Sequence, residues 1–222
     1  MVAHPDDVEY GAASAVARWT SQGKSVRYLL VTRGEAGIDG MDPALVGPLR
    51  EAEQQEAAAM VGVEQVDLLG HPDGQVEYGL GLRRDIAAAI RGFRPEVLVS
   101  LNYRLEARSG INMADHRAVG MAVLDAVRDA GNRWVFPGLA EGGLEPWSGV
   151  RMALFAASPY PTHAVDVAEH LEAGLSSLRC HRQYLAGLSE ELDPEGFLRD
   201  EAARAGAQAG MEAAVSFEVV FF

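Results

Sequence analysis

EVLVSL, residues 96–101, is the stretch that decides the fold of this chain. It is short, mostly apolar and preceded by proline, as is typical of a buried β-strand. On either side lie segments in which apolar residues recur every four positions, Leu80–Phe93 before it and His116–Ala130 after it. That spacing places the apolar side chains on one face of a helix. The centre of the chain therefore predicts helix, strand, helix.

The same alternation extends outward in both directions. Three further apolar runs read as strands: SVRYLLVT (25–32), VDLLG (66–70) and VRMALFAA (150–157). Three further segments are typical of helices: Ala12–Ser21, Leu49–Val61 and the region from Val167 to Leu188. Strands joined by helices favour right-handed crossovers and parallel pairing. We therefore expect an α/β fold, a Rossmann-like three-layer sandwich with a mainly parallel sheet, in one domain spanning residues 1–222. The apolar end, AVSFEVVFF (214–222), should pair with this sheet or meet a partner chain.

Composition restricts the functional class. The chain has 222 residues and a formal net charge of −13, which argues against binding a phosphate backbone through clustered Lys and Arg. No apolar run approaches the roughly 20 residues that span a bilayer, and the N-terminus has no signal-peptide pattern. The single cysteine, Cys180, excludes an internal disulfide and a cysteine-rich zinc site. A reduced, cytoplasmic setting is the expectation.

AHPDD (3–7) is the first stretch that carries chemistry. Ligands of open α/β sheets bind at the carboxyl ends of strands. His4 and Asp7 are three residues apart, close enough to reach one ion, and imidazole with carboxylate suits Zn²⁺ or Fe²⁺. Only three residues precede His4, so either the first strand is very short or the natural chain begins further upstream.

A third ligand is expected from another strand end, since catalytic zinc sites typically use three protein ligands. NMADHRAVG (112–120) follows the EVLVSL strand, and His116 is the natural choice. Asp6 is then left free of the metal and able to accept a proton. A metal that acidifies water and a carboxylate that acts as base together indicate metal-assisted hydrolysis.

Simpler interpretations remain open at this point. An aspartate in the first helical turn is common for capping and dipole reasons alone, and His116 could be an ordinary surface histidine. A Rossmann-like nucleotide binder is disfavoured, because no G-x-G-x-x-G follows the first strand.

Five segments, in order, resemble the PIG-L/LmbE-like deacetylase family. They are AHPDD, TRGEAG (32–37), Arg50 with Glu53, HPDG (71–74) and DHRAVG (115–120). A sixth and weaker segment, LRCHRQ (178–183), is similar to the family's late helix. The resemblance implies hydrolysis of the N-acetyl group of an N-acetylglucosamine-type sugar; relatives act on mycothiol or bacillithiol intermediates. A small amino-sugar substrate is therefore expected, without nucleic acid or membrane, and a homo-oligomer stays open.

The resemblance also implies roles for individual residues. His4, Asp7 and His116 become the metal ligands, of Zn²⁺ or alternatively Fe²⁺. Asp6 becomes the general base, and Asp115 a carboxylate that orients a neighbouring polar group. A further set matches positions that line the sugar pocket of relatives: Glu35, Arg50 and Asp73.

Met113 is the one clear departure from the family pattern. The family usually has His-Pro-Asp-His where this chain has Met113-Ala114-Asp115-His116. In the family, the first histidine stabilises the oxyanion or protonates the leaving amine, and methionine does neither. We therefore hypothesise weak activity on simple N-acetyl sugars, or another group that supplies the charge. The alternative function is a catalytically weakened protein that binds a sugar or metabolite.

Overall fold

A computed structural model describes residues 1–108, 110–188 and 192–222. The nine helices of the described part, in chain order, are α1 Asp7–Gly11, α2 Ala13–Ser21, α3 Pro43–Met60, α4 Leu80–Phe93, α5 Ala114–Gly131, α6 Pro137–Glu141, α7 Leu171–Leu178, α8 Arg182–Ala186 and α9 Pro194–Ala209. Its six strands are β1 Tyr28–Leu30, β2 Val66–Leu68, β3 Val97–Leu101, β4 Met152–Ala156, β5 His163–Asp166 and β6 Ala214–Phe221.

The first residues of the chain join the two groups of paired strands. One group is β1 with β2, and the other has the order β3, β4, β6, β5. Val2 forms a parallel bridge with Leu30 of β1. On the other side, the terminal amino group of Met1 donates to the carbonyl of Val99 in β3 at 2.7 Å. Across the molecule the order is therefore β2, β1, the N-terminal residues, β3, β4, β6, β5.

The α/β class predicted from the sequence is confirmed, but a mainly parallel sheet is not. Among the described strands, β1 pairs with β2 and β3 with β4 in parallel. The last strand, β6, runs antiparallel to both of its neighbours, β4 and β5. It is the apolar C-terminal segment that was expected to pair with the sheet, and Phe217 at its centre is fully buried.

Helices cover both faces of these strands. Side chains alternate across a strand with a period of two, and β4 shows the consequence. Leu154 and Ala156 belong to one buried cluster, together with residues of α1, α2, α3 and α9. Ala153 and Phe155 belong to a second cluster, formed with α4 and α5.

Most predicted helices are present with shifted ends. The helix expected over Leu49–Val61 is α3, which begins at Pro43 because the Asp42 carboxylate accepts from the Ala44 N–H at 2.9 Å and caps it. The long helix expected from Val167 to Leu188 is instead two helices, α7 and α8, with a break at His181, whose side chain is fully buried. Within the described residues, none of the helices combines the length and apolar character needed to cross a bilayer.

Candidate metal centre and active site

His4, Asp7 and His116 meet at the carboxyl-end edge of the strands. His4 follows the N-terminal residues that bridge to β1, and Asp7 begins α1. His116 lies in the first turn of α5, which follows β3. One potential ligand atom from each residue lies within 4.8 Å of the others. Asp7 and His116, 109 positions apart in sequence, are thus brought together with His4. Their role as metal ligands stays a prediction.

Asp7 is the centre of this group. Its Oδ1 lies 3.0 Å from Nε2 of His116, and its Oδ2 accepts the backbone N–H groups of Ala3 at 3.0 Å and His4 at 2.8 Å. Burial raises the pKa of Asp7, but the adjacent His116 and His4 outweigh burial and hold it well below its usual range. The carboxylate is therefore ionised, as a metal ligand must be.

His4 also contacts two further carboxylates. Its Nε2 lies 3.1 Å from Oδ1 of Asp73 and 3.3 Å from Oδ2 of Asp115. The two oxygens of Asp115 accept the backbone N–H groups of Gly74 at 2.8 Å and Val76 at 3.2 Å. Asp115 therefore ties the 73–76 turn to the ring of His4, which is the orienting contact expected of a carboxylate behind a metal ligand.

Two groups of residues in the described part of the chain could hold a metal ion, and they share His4. One is His4 with Asp7 and His116, and the other is His4 with Asp73 and Asp115. The first supplies two imidazoles and one carboxylate, a donor set typical of catalytic zinc sites. In the second, backbone N–H groups already engage both oxygens of Asp115. The group of His4, Asp7 and His116 therefore fits a metal better than the group of His4, Asp73 and Asp115.

Excess negative charge at this point raises the proton affinity of His4. Burial lowers the pKa of His4, but its hydrogen bonds to Asp7 and Asp73 outweigh burial and raise the pKa to about 11. In the metal-free protein the imidazolium of His4 thus supplies positive charge among the carboxylates. A divalent cation would replace that charge.

Metal uptake is therefore expected to tighten as pH rises. His4 must lose its proton to bind a metal, and a pKa of about 11 keeps it protonated throughout the neutral range. The neutral fraction, and with it the apparent affinity for Zn²⁺, should rise about tenfold per pH unit. Competition with a chromophoric chelator over about two units around neutrality measures this. An affinity that does not change with pH would contradict it.

Asp6 lies beside this group in a strained backbone conformation. Its φ of 88° is in the left-handed region, which costs a non-glycine residue about 1–3 kcal/mol. Its N–H donates to Oε1 of Gln54 at 3.0 Å, and its Oδ2 lies 3.3 Å from Nη2 of Arg50. Burial raises the pKa of Asp6 to about 7, although Arg50 lowers it. A carboxylate with a pKa near neutrality is suited to take up and release a proton.

Arg50 is almost completely buried, and backbone groups fix its position. Its Nη1 donates to the carbonyl of Gly34 at 3.0 Å, and its Nη2 to that of Pro5 at 2.6 Å. Its guanidinium stacks on the ring of Tyr184, 4.4 Å from the centroid. Arg50 thus links α3 to the AHPDD and TRGEAG segments and holds the carboxylate of Asp6.

The glycine of TRGEAG makes room for this guanidinium. A Cβ on Gly34 would lie 2.3 Å from Nη1 of Arg50, and its φ of +64° disfavours any other residue. Gly34→Ala should therefore displace Arg50 and leave a buried charge without its hydrogen bonds.

We expect Gly34→Ala to lower the free energy of unfolding by about 2–3 kcal/mol, more than backbone strain alone. Gly70→Ala is the matched control, because its φ is +76° and its added Cβ would meet nothing within 4 Å. The control should cost about 1 kcal/mol. Urea unfolding of both variants measures the difference, and equal losses would show that Arg50 tolerates the displacement.

One cavity of about 810 Å³ contains most of the predicted site residues. Those that line it are His4, Asp6, Asp7, Arg50, Asp73 and His116. Glu35 and Asp115 are not among its lining residues within the described part of the chain. The carboxylate of Glu35 accepts the N–H groups of Arg33 at 3.2 Å and Asp73 at 2.9 Å, so it supports the 71–74 turn. Met113 lines the cavity and is 57% exposed.

Gln54, Tyr184 and the buried Glu9 also belong to the site, although the sequence motifs did not indicate them. Gln54 lies four residues after Arg50 on α3, so helical spacing could have indicated that it faces the same site. It links Asp6 to Glu9, since its Nε2 donates to Oε1 of Glu9 at 3.2 Å. Behind this link, Oε2 of Glu9 lies 3.4 Å from Nε2 of His181, and both side chains are fully buried. Tyr184 offered no sequence signal of comparable strength.

Comparisons with known proteins show which family and which fold this chain resembles. The model of the PIG-L family, described as GlcNAc-PI de-N-acetylase, matches residues 1–127. Diacetylchitobiose deacetylase of Thermococcus kodakarensis is 28% identical over 183 residues, which cover 80% of this chain and 66% of that protein. The chain thus spans slightly less than two thirds of the length of this relative.

Solved structures show the same fold. N,N'-diacetylchitobiose deacetylase of Pyrococcus horikoshii, in complex with its inhibitor MPG, superposes with a TM-score of 0.90 at 22% identity, covering 99% of this chain and 81% of that one. The 4-carboxy-2-hydroxymuconate hydratase GalB of Pseudomonas putida KT2440 superposes with a TM-score of 0.78 at 18% identity, covering 100% and 95%. The fold therefore occurs in proteins with different reactions. Since its family model matches more than half of the sequence, including the stretches that contain His4, Asp7 and His116, this chain belongs to the PIG-L family.

Proposed function

We propose that this chain is a metal-dependent hydrolase that removes an N-acyl group, in the simplest case acetyl, from an N-acetylglucosamine-type sugar or a related metabolite. One observation carries the proposal: the buried carboxylate of Asp6 shares a cavity with the His4–Asp7–His116 group. Membership of the PIG-L family and the likeness to a diacetylchitobiose deacetylase support it.

The metal proposed for the site is Zn²⁺, with Fe²⁺ as the alternative. His4, Asp7 and His116 would hold it, because their ligand atoms lie within 4.8 Å of one another and two imidazoles with a carboxylate suit either ion. When bound, such an ion lowers the pKa of water and polarises an acyl carbonyl.

The residues of the chain perform the remaining tasks. Asp6 takes a proton from water as the water oxygen bonds to the acyl carbon, and that proton goes to the amine nitrogen when the carbon–nitrogen bond breaks. Arg50 holds the carboxylate of Asp6 from 3.3 Å. Asp115 and Asp73 orient the ring of His4. The products are a carboxylic acid and a free amino sugar.

Sugar recognition is assigned to the side of the cavity formed by the loops after β1 and β2. Asp73 and Arg50 line this side, and Glu35 supports it through the backbone of Asp73. Carboxylate and guanidinium groups are suited to bind hydroxyl groups through hydrogen bonds. Arg50 and Asp73 therefore stay predicted as substrate-binding residues, and Glu35 stays predicted through its contact with the backbone of Asp73.

We further propose that residues 1–222 form one catalytic domain with a Rossmann-like three-layer arrangement, which acts in the cytoplasm on a small molecule. A measurement of mass in solution shows whether two or more copies assemble.

Amine release tests the proposal directly. Protein loaded with Zn²⁺ or Fe²⁺, and protein stripped by a chelator, are assayed on N-acetylglucosamine, N,N'-diacetylchitobiose and N-acetylglucosaminides with larger aglycones. We expect free amine only from metal-loaded protein. If metal-loaded protein releases no amine from any of these compounds, hydrolysis of N-acetyl groups is not its function.

Met113 favours a second candidate, a protein that binds the sugar with little turnover. It lies at the cavity where the family usually has histidine, and it offers no proton and no charge. Met113→His is therefore expected to raise kcat, by about 10-fold or more if acid–base or electrostatic help is missing. Met113→Gln is the control, since it adds polarity without a group that titrates near neutrality. A kcat that does not rise in Met113→His would show that the chain does not lack this histidine.

A further inference from the structure

The strand order gives the direction in which the cavity extends. Its lining residues Gly37 and Asp73 follow β1 and β2, and His4 follows the N-terminal residues. On the other side it is lined by Ala157, after β4, and by Ala214 at the start of β6. The order β2, β1, N-terminal residues, β3, β4, β6 therefore places His4, Asp7 and His116, here called the metal group, between two unlike halves of one cavity.

The half beyond His4 is largely apolar, and we name it the apolar arm. Its walls come from α7, α9 and β6 and are formed by Leu171, Phe197, Ala202, Ala205, Ala214 and Val215. Neighbouring strands are about 4.8 Å apart, so β6, three strands from the N-terminal residues, lies about 14 Å from them. An acetyl group would leave most of such an arm empty.

One face of α9 lines this arm. Cavity-lining residues recur along the helix at Phe197, Glu201, Ala202 and Ala205, the spacing of a single helical face. The alanines keep the helix close without filling the space. The charge of Glu201 is paired with Arg108, which also donates to Oγ of Ser216 at 3.1 Å. Glu201 and Arg108 thus pair with each other, and the rest of the lining from α7, α9 and β6 is apolar apart from Ser216.

The chemistry of an amide decides what occupies the arm. The scissile carbon and nitrogen must both lie at Asp6 and the metal group, so the sugar and the acyl chain leave this point in different directions. Asp73 and Arg50 make the β1–β2 side polar, which suits the sugar. The acyl chain is then directed towards β6 and α9.

We propose that the apolar arm binds the acyl chain of the substrate, and that the preferred substrates are amino sugars N-acylated with chains of about six carbons rather than with acetyl. This rests on the proposed function, because it takes Asp6 and the metal group as the point of hydrolysis. The continuity of the arm with that point, in a single cavity of about 810 Å³, carries the inference. Pockets for whole small molecules typically measure about 300–1,000 Å³.

The test measures binding and turnover along one series of ligands. N-acetyl-, N-butanoyl- and N-hexanoylglucosamine are compared with hexyl N-acetylglucosaminide, which carries its chain on the sugar instead of the amide. Binding is measured by calorimetry on Asp6→Asn in the presence of Zn²⁺, so that no ligand is consumed, and kcat/KM is measured on the unaltered protein. Each buried methylene is worth about fourfold in affinity. N-hexanoylglucosamine has four more methylenes than the acetyl compound, so we expect it to bind about 250-fold more tightly.

Two kinds of variant show whether the apolar arm causes the gain in affinity with chain length. Ala205→Leu fills the arm from α9, and Val215→Phe fills it from β6 if the first variant does not fold; either should remove the gain in affinity with chain length. Ala203→Leu is the matched control, because Ala203 is exposed on the same helix and lies outside the cavity lining of the described residues. It should keep the gain.

The outcomes separate this inference from the proposed function. Tighter binding with acyl length and faster turnover support both, whereas tighter binding without any turnover supports the arm and overturns the hydrolase. Turnover of the acetyl compound with binding that is flat or weaker along the acyl series overturns the arm alone. Tight binding of hexyl N-acetylglucosaminide alone assigns the arm to an aglycone and also overturns the inference. Neither binding nor turnover of any ligand overturns both.

Discussion

Asp6→Asn is expected to lower kcat by about 10²–10⁴-fold, the usual contribution of a positioned general base. Asparagine has nearly the same shape and still accepts a hydrogen bond from Arg50, but it cannot take a proton from water. The N–H of Asp6 that donates to Gln54 at 3.0 Å is a backbone group, so the substitution leaves that contact in place. Steady-state amine release, with protein unfolding measured alongside, gives the loss.

The pH profile of the unaltered protein provides an independent check on the same residue. Burial raises the pKa of Asp6 to about 7 despite the opposing effect of Arg50. A base must be deprotonated to act, so activity is present above this pKa and is lost as pH falls through it. A bound metal cation favours the charged form of Asp6, so it can only move the acid side of the pH profile to lower pH. We therefore expect kcat/KM to rise with pH and to level off at or below about pH 7. A profile that is flat through the acid range would exclude Asp6 as the base.

Asp7→Asn should abolish metal binding as well as turnover. Asp7 contacts His116 at 3.0 Å and accepts the N–H of His4 at 2.8 Å, so the change removes a charged ligand and weakens the support of both imidazoles. Its pKa is held well below the usual range by the adjacent histidines, so the native side chain carries a full charge. The zinc content measured by elemental analysis after dialysis against Zn²⁺ should fall from about one ion per chain to almost none.

The two substitutions control each other. Both replace a buried aspartate by asparagine, one residue apart, so general effects of this substitution on folding should be similar. Asp6→Asn should keep the metal and lose turnover, and Asp7→Asn should lose both. If Asp7→Asn retains Zn²⁺ with unchanged affinity, the ion is held elsewhere. The group of His4 with Asp73 and Asp115 is then the alternative, tested by Asp115→Asn.

The sequence by itself determined the local elements and the candidate residues of the metal group. EVLVSL and its flanking helices are recognisable because apolar periodicity depends on near neighbours. AHPDD and DHRAVG are likewise continuous in sequence, and each motif already contains histidine and aspartate side chains of the candidate site. Because parallel strand ends meet at one edge of a sheet, His4, Asp7 and His116 could be expected to meet there.

Only the tertiary structure decided the course of the last strand and the tasks of Arg50. The apolar segment Ala214–Phe221 could be read as a strand, but its antiparallel insertion between β4 and β5 depends on which edges remain unpaired once the whole chain is folded. Arg50 and Glu53 could equally have been an exposed pair on a helix. Arg50 is buried because the carbonyl groups of Gly34 and Pro5 and the carboxylate of Asp6 converge on it.

The apolar arm depends most on the tertiary structure. Ala202, Ala205 and Ala214 are unremarkable in the sequence, where small residues on a helix or strand indicate only close packing. They line a cavity with His4, about 200 residues away, because β6 folds back beside β4 and brings α9 with it. A sequence motif identifies which side-chain atoms can react, since its residues are adjacent in sequence. The space left around those atoms is set by packing between distant segments, and that space decides what can reach them.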